Sequence, residues 1–187
     1  MYLCTYHGGE IIDSPTGTFP FERAVELVRD YPHIVAVTVM SADASALKEL
    51  LAGLDGVRKR GVPVRVAGTR AYFEMLELGV YGFHSIEASI APRLCSTAVD
   101  AHRRGDKVEA KRLLDVVARL CEIVHTPEYC YPRSIKPILN HLGFDVGIIR
   151  KPYMPPKSEH QLEMAERVAG LELGRFEELP HRSPSRG

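Results

Sequence analysis

Short apolar runs alternate with stretches of helical periodicity over the first half of the chain. The run HIVAVTVM, residues 33–40, is continuous and rich in β-branched residues, which predicts a strand buried on both faces. GVPVRVAG, residues 61–68, predicts a second such strand. Weaker patterns predict strands over 2–6 and 80–86, and periodic apolar positions predict helices over 21–30, 44–54 and 70–78.

From residue 91 onward the pattern is helical, with predicted helices over 91–103, 106–125, 133–142 and 158–171. The order β-α-β-α-β-α-β-α with short connections predicts an α/β fold with a parallel sheet. A complete (β/α)8 barrel needs about 250 residues, so four units make half a barrel or a small open sheet. The number of units does not decide between these two folds.

Composition narrows the possible partners. The 187 residues carry a formal net charge of zero, which predicts no nucleic-acid partner. No apolar run approaches the roughly 20 residues that cross a bilayer, so we expect no membrane partner. The N-terminus MYLCTYHGGE resembles no signal peptide, and a cytoplasmic location is expected. Four scattered cysteines favour buried reduced thiols over a disulfide or metal framework.

An ordered series of segments carries a family resemblance. VPVRVAGTRAYFEMLELGVYGFHSIEASIAPRL (62–94) contains a glycine that ends a strand, the helix pattern F-x-x-L-x-L-G and an A-P-R start of the next helix. PEYCYPRSIKPIL (127–139) and RKPYMPP (150–156) follow in order. The series resembles the C-terminal half of the dihydrodipicolinate synthase and N-acetylneuraminate lyase family of pyruvate-dependent aldolases. The resemblance runs from about residue 14 to 173.

The resemblance implies a partial (β/α)8 TIM barrel made of the last four βα units, followed by a C-terminal helical extension. The half barrel would occupy residues 1–104 and the extension residues 105–173. Residues 174–187 would form a disordered tail.

Enzymes of this family bind pyruvate as a Schiff base on a lysine, whose imine draws electrons from the substrate. The resemblance places that lysine in the strand HIVAVTVM, at the position of Thr38. Threonine cannot form an imine, so the central nucleophile is missing. A proton-relay tyrosine is expected at the end of the preceding strand, where Tyr6 is the candidate. Tyr6 could equally pack against the open edge of the half barrel.

Four further residues are expected to bind substrate. The resemblance places Gly68 where the substrate approaches the backbone, followed by Thr69 and Arg70 near the variable part of the substrate. Arg70 could bind a carboxylate through two hydrogen bonds, or could simply be solvated. His84 could be a general base or a core histidine. Glu87 is the nearest candidate carboxylate.

Neither a cofactor nor a metal site is expected. The eight histidines are dispersed, and none is expected to lie at ligand spacing from a cysteine or an acid.

Three functions remain open. The first is a lyase that acts on pyruvate or another 2-oxo acid, or a descendant of such enzymes. The second is a non-catalytic half-barrel subunit, because unpaired outer strands favour association. It would form a homo-oligomer or pair with a separately encoded N-terminal half. The third is a truncated remnant.

Overall fold

The computed structural model describes residues 2–6, 21–40, 44–67 and 70–180, and these form a mixed α/β fold. The chain divides into two compact units, an N-terminal unit (Met1–Ser85) and a C-terminal unit (Ile86–Gly187). The N-terminal unit contains β1 (Tyr2–Tyr6), α1 (Phe21–Asp30), β2 (Ala36–Met40), α2 (Ala44–Gly53), α3 (Asp55–Arg58), β3 (Val64–Ala67), α4 (Tyr72–Glu77) and β4 (Gly82–His84). The C-terminal unit contains α5 (Pro92–Arg103), α6 (Lys107–Val124), α7 (Ile135–His141) and α8 (Ser158–Ala169), with 3₁₀ turns at Glu87–Ser89 and Leu173–Arg175.

The sheet of the N-terminal unit is parallel, and its strand order β1-β2-β3-β4 follows the chain. Crossovers between parallel strands are right-handed, so a sheet that grows in one direction carries its helices on one face. The core agrees with this expectation. On one face of the sheet, side chains of β2 and β3 pack against side chains of the helices. This buried cluster includes Ala24, Val28, Val37, Val39, Leu51, Leu54, Val57, Val64, Val66 and Met75. A doubly wound sheet has helices on both faces, so the layout is that of a barrel segment.

Amphipathic sequences form the helices of this layer. In α1, Ala24 and Val28 lie four residues apart and are buried, while Arg23 and Arg29 are exposed.

Two predicted strands are longer than the observed ones. The strand predicted over 33–40 forms only from residue 36, so that residues 33–35 precede β2. The strand predicted over 80–86 pairs only over Gly82–His84.

Helices α5 and α6 form the centre of the C-terminal unit. Gly105, whose φ of 84° suits glycine, links them, and the side chain of Asp106 accepts a hydrogen bond from the N–H of Glu109 at 3.1 Å. One face of α6 is buried: Ala110, Leu113, Leu114, Val117, Leu120, Cys121 and Val124. None of the helices in the described ranges is both long and apolar enough to span a bilayer.

The C-terminal unit is larger than the predicted helical extension. Residues 91–104, predicted as the last helix of the half barrel, form α5, which packs mainly on α6 within the C-terminal unit. The prediction of a disordered tail from residue 174 is wrong for residues 174–180. They include part of the last 3₁₀ turn, and the carboxylate of Glu177 accepts a hydrogen bond from the N–H of Leu94 at 2.7 Å. Residues 181–187 lie outside the described ranges.

Candidate functional site

The strand register aligns four residues at the C-terminal edge of the sheet. Tyr6 pairs with Met40, Met40 with Ala67, and Ala67 with His84. Barrel enzymes take their working groups from this end of their strands. Neighbouring strands lie about 4.8 Å apart, so three spacings separate the backbone of Tyr6 from that of His84 by roughly 14 Å. The two residues therefore share an edge without lying next to each other.

Thr38 lies in the middle of β2, two residues before the strand ends, and is only 5% exposed. Its neighbours Val37 and Val39 belong to the core beside the helices. Because side chains alternate along a strand, Thr38 lies on the opposite sheet face. In a closed barrel that face is the interior.

Arg65 is a candidate that the sequence analysis missed. It pairs with Thr38 across the ladder and with Gly82 on the other side. Val64 and Val66 face the helices, so Arg65 lies on the same sheet face as Thr38 and is partly exposed. A charged residue between two strand valines was the available signal. Its guanidinium is the kind of group that binds a carboxylate through two parallel hydrogen bonds.

The structure describes only part of the predicted substrate-binding group. Gly68 and Thr69 lie outside the described residues. Arg70 is exposed and lies just before α4. His84 is the last residue of β4 and is exposed, so its interpretation as a core histidine is wrong. Burial decreases along β4, from buried Gly82 through half-buried Phe83 to exposed His84.

Glu87, predicted as the nearest carboxylate, belongs to the C-terminal unit and is only 2% exposed. Three possible ligand atoms lie within 4.8 Å of one another, one each from Glu87, Cys121 and His125. The expectation that no histidine pairs with a cysteine or an acid at ligand spacing is therefore wrong. Cys121 and His125 are four residues apart along one helical face, and the fold brings Glu87 to them.

The C-terminal unit also has a groove of about 410 Å³. Its polar lining includes Arg93 and the carboxylates of Glu177 and Glu178, and Arg93 already donates to Glu178 at 2.8 Å. That hydrogen bond lowers the pKa of Glu178 and keeps it charged. An acidic lining repels anions, so the groove is a poor site for a 2-oxo acid.

Comparison with known proteins decides the family. The profile of the dihydrodipicolinate synthetase family matches residues 20–170. The chain belongs to this family. The resemblance inferred from the sequence motifs is thereby confirmed. No curated protein sequence matches the chain.

Solved structures of the dihydrodipicolinate synthetase family share the fold. YagE, a prophage protein from E. coli K12 solved in complex with pyruvate, is 17% identical with a TM-score of 0.75, over 91% of this chain and 56% of that chain. Dihydrodipicolinate synthase from Thermotoga maritima is 17% identical with a TM-score of 0.72, over 83% and 52%. N-acetylneuraminate lyase from Aliivibrio salmonicida is 18% identical with a TM-score of 0.67, over 92% and 54%. The chain spans about half the length of these relatives.

Proposed function

We propose that the chain forms the last four βα units of a dihydrodipicolinate synthase-type barrel and binds a 2-oxo acid there without forming a Schiff base. The observation that carries this proposal is the position of Thr38. It is buried in the middle of β2, on the sheet face opposite the helices, where the family resemblance requires the lysine. A hydroxyl group cannot condense with a ketone to form an imine. Without an imine the methyl group of pyruvate is not activated.

No other lysine of the N-terminal unit is a suitable replacement. Its sequence contains only Lys48 and Lys59, and both are exposed on the helical layer. Lys59 forms an ion pair with Asp55 at 2.6 Å. The hydrogen bond to Asp55 raises the pKa of Lys59, which keeps the amine protonated and non-nucleophilic.

Arg65 and Thr38 supply the binding groups in this proposal. Their Cα atoms are ladder partners, about 4.8 Å apart, on one sheet face. The guanidinium of Arg65 would bind the carboxylate, and the hydroxyl of Thr38 would donate to the ketone oxygen. YagE and the dihydrodipicolinate synthase from Acinetobacter baumannii were solved in complex with pyruvate, which supports a ligand of this class.

Pyruvate binding to the wild type and to Arg65→Met tests this role. We expect saturable, reversible binding by saturation-transfer NMR, weakened at least about tenfold in Arg65→Met because a charge-assisted pair contributes roughly 1.5–3 kcal/mol. Arg60→Met is the matched control, since Arg60 is exposed beyond α3, and it should bind as the wild type does. Absence of pyruvate binding, or equal binding by Arg65→Met, would refute the proposal.

A second function, a subunit that completes its barrel by association, is favoured by the sheet edges. Among the described strands, β1 and β4 are the outer ones, and each is paired on one side only. Relatives of about twice the length support a barrel in which further strands pair with these edges. The source of those strands would be a second copy of the chain or a separately encoded N-terminal half. This association is compatible with 2-oxo acid binding.

A further inference from the structure

We propose that Glu87, Cys121 and His125 form a binding site for a divalent transition metal ion of the Zn²⁺ type. The site lies entirely in the C-terminal unit, where the 3₁₀ turn Glu87–Ser89 packs against α6. It is independent of the proposed 2-oxo acid site, and either proposal can fail without the other.

The end of α6 supplies two of the three ligands. Cys121 lies in the last turn of α6 and His125 directly follows the helix, so their side chains lie on one face. Sγ of Cys121 is 3.5 Å from Nδ1 of His125. Zn–S and Zn–N bonds of about 2.3 and 2.0 Å at the tetrahedral angle put the two ligand atoms roughly 3.5 Å apart. The pair already has the separation that a tetrahedral ion requires.

Glu87 supplies the third ligand from a distant part of the sequence. Its Oε1 lies 3.8 Å from Nδ1 of His125, while tetrahedral zinc puts oxygen and nitrogen ligands about 3.3 Å apart. All three ligand atoms lie within 4.8 Å of one another, so the carboxylate would have to move by about half an ångström toward Nδ1 and by up to roughly 1 Å toward Sγ. Glu87 is 2% exposed, and a buried carboxylate is stabilised by a nearby cation.

The donor set selects the class of ion. A thiolate and a carboxylate together carry two negative charges, which balance a divalent cation. Sulfur and imidazole ligands favour Zn²⁺ and similar transition metals over Mg²⁺ and Ca²⁺, which prefer oxygen ligands. The His125 side chain is 31% exposed, so solvent reaches the site from one side. A water molecule would take the fourth position, as it does in three-ligand zinc sites.

Metal binding changes the hydrogen bonding of His125. In the structure Nδ1 lies 3.0 Å from the carbonyl oxygen of Cys121, a distance at which an Nδ1–H donates to that oxygen. For Nδ1 to bind the ion, its proton must leave and Nε2 must carry the ring proton. A small rotation of the ring would turn Nδ1 from the carbonyl oxygen toward the ion while keeping it near Sγ of Cys121. The thiol of Cys121 loses its proton to solvent as the metal–sulfur bond forms.

Cobalt titration of the full chain tests the site, because Co²⁺ replaces Zn²⁺ and gives visible spectra. After treatment with a chelator and its removal, we expect a thiolate-to-cobalt charge-transfer band that saturates at one equivalent and disappears when Zn²⁺ is added. The band should be lost in Cys121→Ser and retained in Cys95→Ser and Cys130→Ser. Absence of the band in the wild type, or its survival in Cys121→Ser, would overturn the proposal.

X-ray absorption of the zinc-loaded wild type provides a test that needs no variant to fold. We expect one sulfur scatterer at about 2.3 Å and nitrogen or oxygen scatterers at about 2.0 Å. A zinc spectrum without a sulfur scatterer would refute the site.

Glu87→Gln and His125→Asn, checked for folding by circular dichroism, should each lose affinity for cobalt, whereas His102→Asn should keep it. Unchanged affinity in both ligand variants would contradict the assignment.

Discussion

At the scale of single residues, burial and nearby charge determine which side chains are chemically available. Cys95 illustrates this on α5. Burial raises the pKa of its thiol to about 12, and the negative charges of Glu87 and Glu177 add to the effect. The thiolate is the nucleophilic form of cysteine, so a raised pKa keeps Cys95 protonated and unreactive.

The alkylation of Cys95 should therefore depend on folding. A thiol with a pKa of about 12 is ionised in roughly one molecule in ten thousand at pH 8, compared with about a quarter for an ordinary cysteine. We expect iodoacetamide to leave Cys95 unmodified in the folded chain at pH 8 and to modify it in urea, as measured by peptide mass spectrometry. Modification at equal rates in both conditions would contradict the description of its surroundings.

Residues differ in how readily the sequence reveals their role. The role proposed for Thr38 rests on a strand pattern and a family motif that are both readable in the sequence. Arg65 was missed because its significance depends on which sheet face it occupies, and only the neighbouring core valines define that face. Cys121 and His125 were visible as a four-residue spacing, but their relation to Glu87 depends on the packing of the 3₁₀ turn against α6.

At the scale of elements, the start of α5 depends on a distant part of the chain. Its N-cap residue Ala91 has no side chain that can accept a hydrogen bond. The carboxylate of Glu177 instead accepts from the N–H of Leu94, at 2.7 Å, across 83 residues of sequence. A helix N-terminus favours such an anion because its first N–H groups lack helical partners.

Removing this cap should destabilise the chain. We expect Glu177→Ala to lower the free energy of unfolding by about 1 kcal/mol, the typical cost of losing a helix cap, as measured by urea denaturation. Glu178→Ala is the matched control, because Glu178 forms only an exposed ion pair with Arg93, and it should have little effect. Equal effects of the two substitutions would show that Glu177 does not cap the helix.

The sequence predicted the type of the elements better than their ends. The prediction 106–125 for α6 differs from the observed helix by one residue at each end, because Asp106 marks the cap locally. The strand predicted over 80–86 shrinks to Gly82–His84. Val80 is buried in the core but is not paired in the sheet. Its apolar side chain therefore indicated burial and not membership of the strand.

At the scale of the whole molecule, strand order favours one of the two folds that the number of elements left open. Four βα units fit a half barrel or an open sheet equally well. The sequential order and the single helical layer match the barrel arrangement. The division between residues 85 and 86 was not predictable, because α5 follows the last strand as a barrel helix would, yet packs mainly on α6.

The chain should associate with a second half barrel if that half barrel covers its outer strands. We expect light scattering on the purified chain to give a dimer or a larger species, because unpaired strand edges favour pairing. Co-expression with a candidate N-terminal half would shift that mass to a one-to-one complex if the partner is encoded separately. A stable monomer across the accessible concentration range would contradict the proposed pairing.

The central claim is our proposal that the chain binds pyruvate without forming a Schiff base. Incubation with pyruvate and sodium borohydride, followed by intact-mass and peptide mass spectrometry, tests it directly, with borohydride alone as the control. We predict identical masses in both samples, because the proposal puts the hydroxyl of Thr38 where the family has its lysine and because the hydrogen bond to Asp55 raises the pKa of Lys59. A stoichiometric pyruvyl adduct on any lysine would contradict the account.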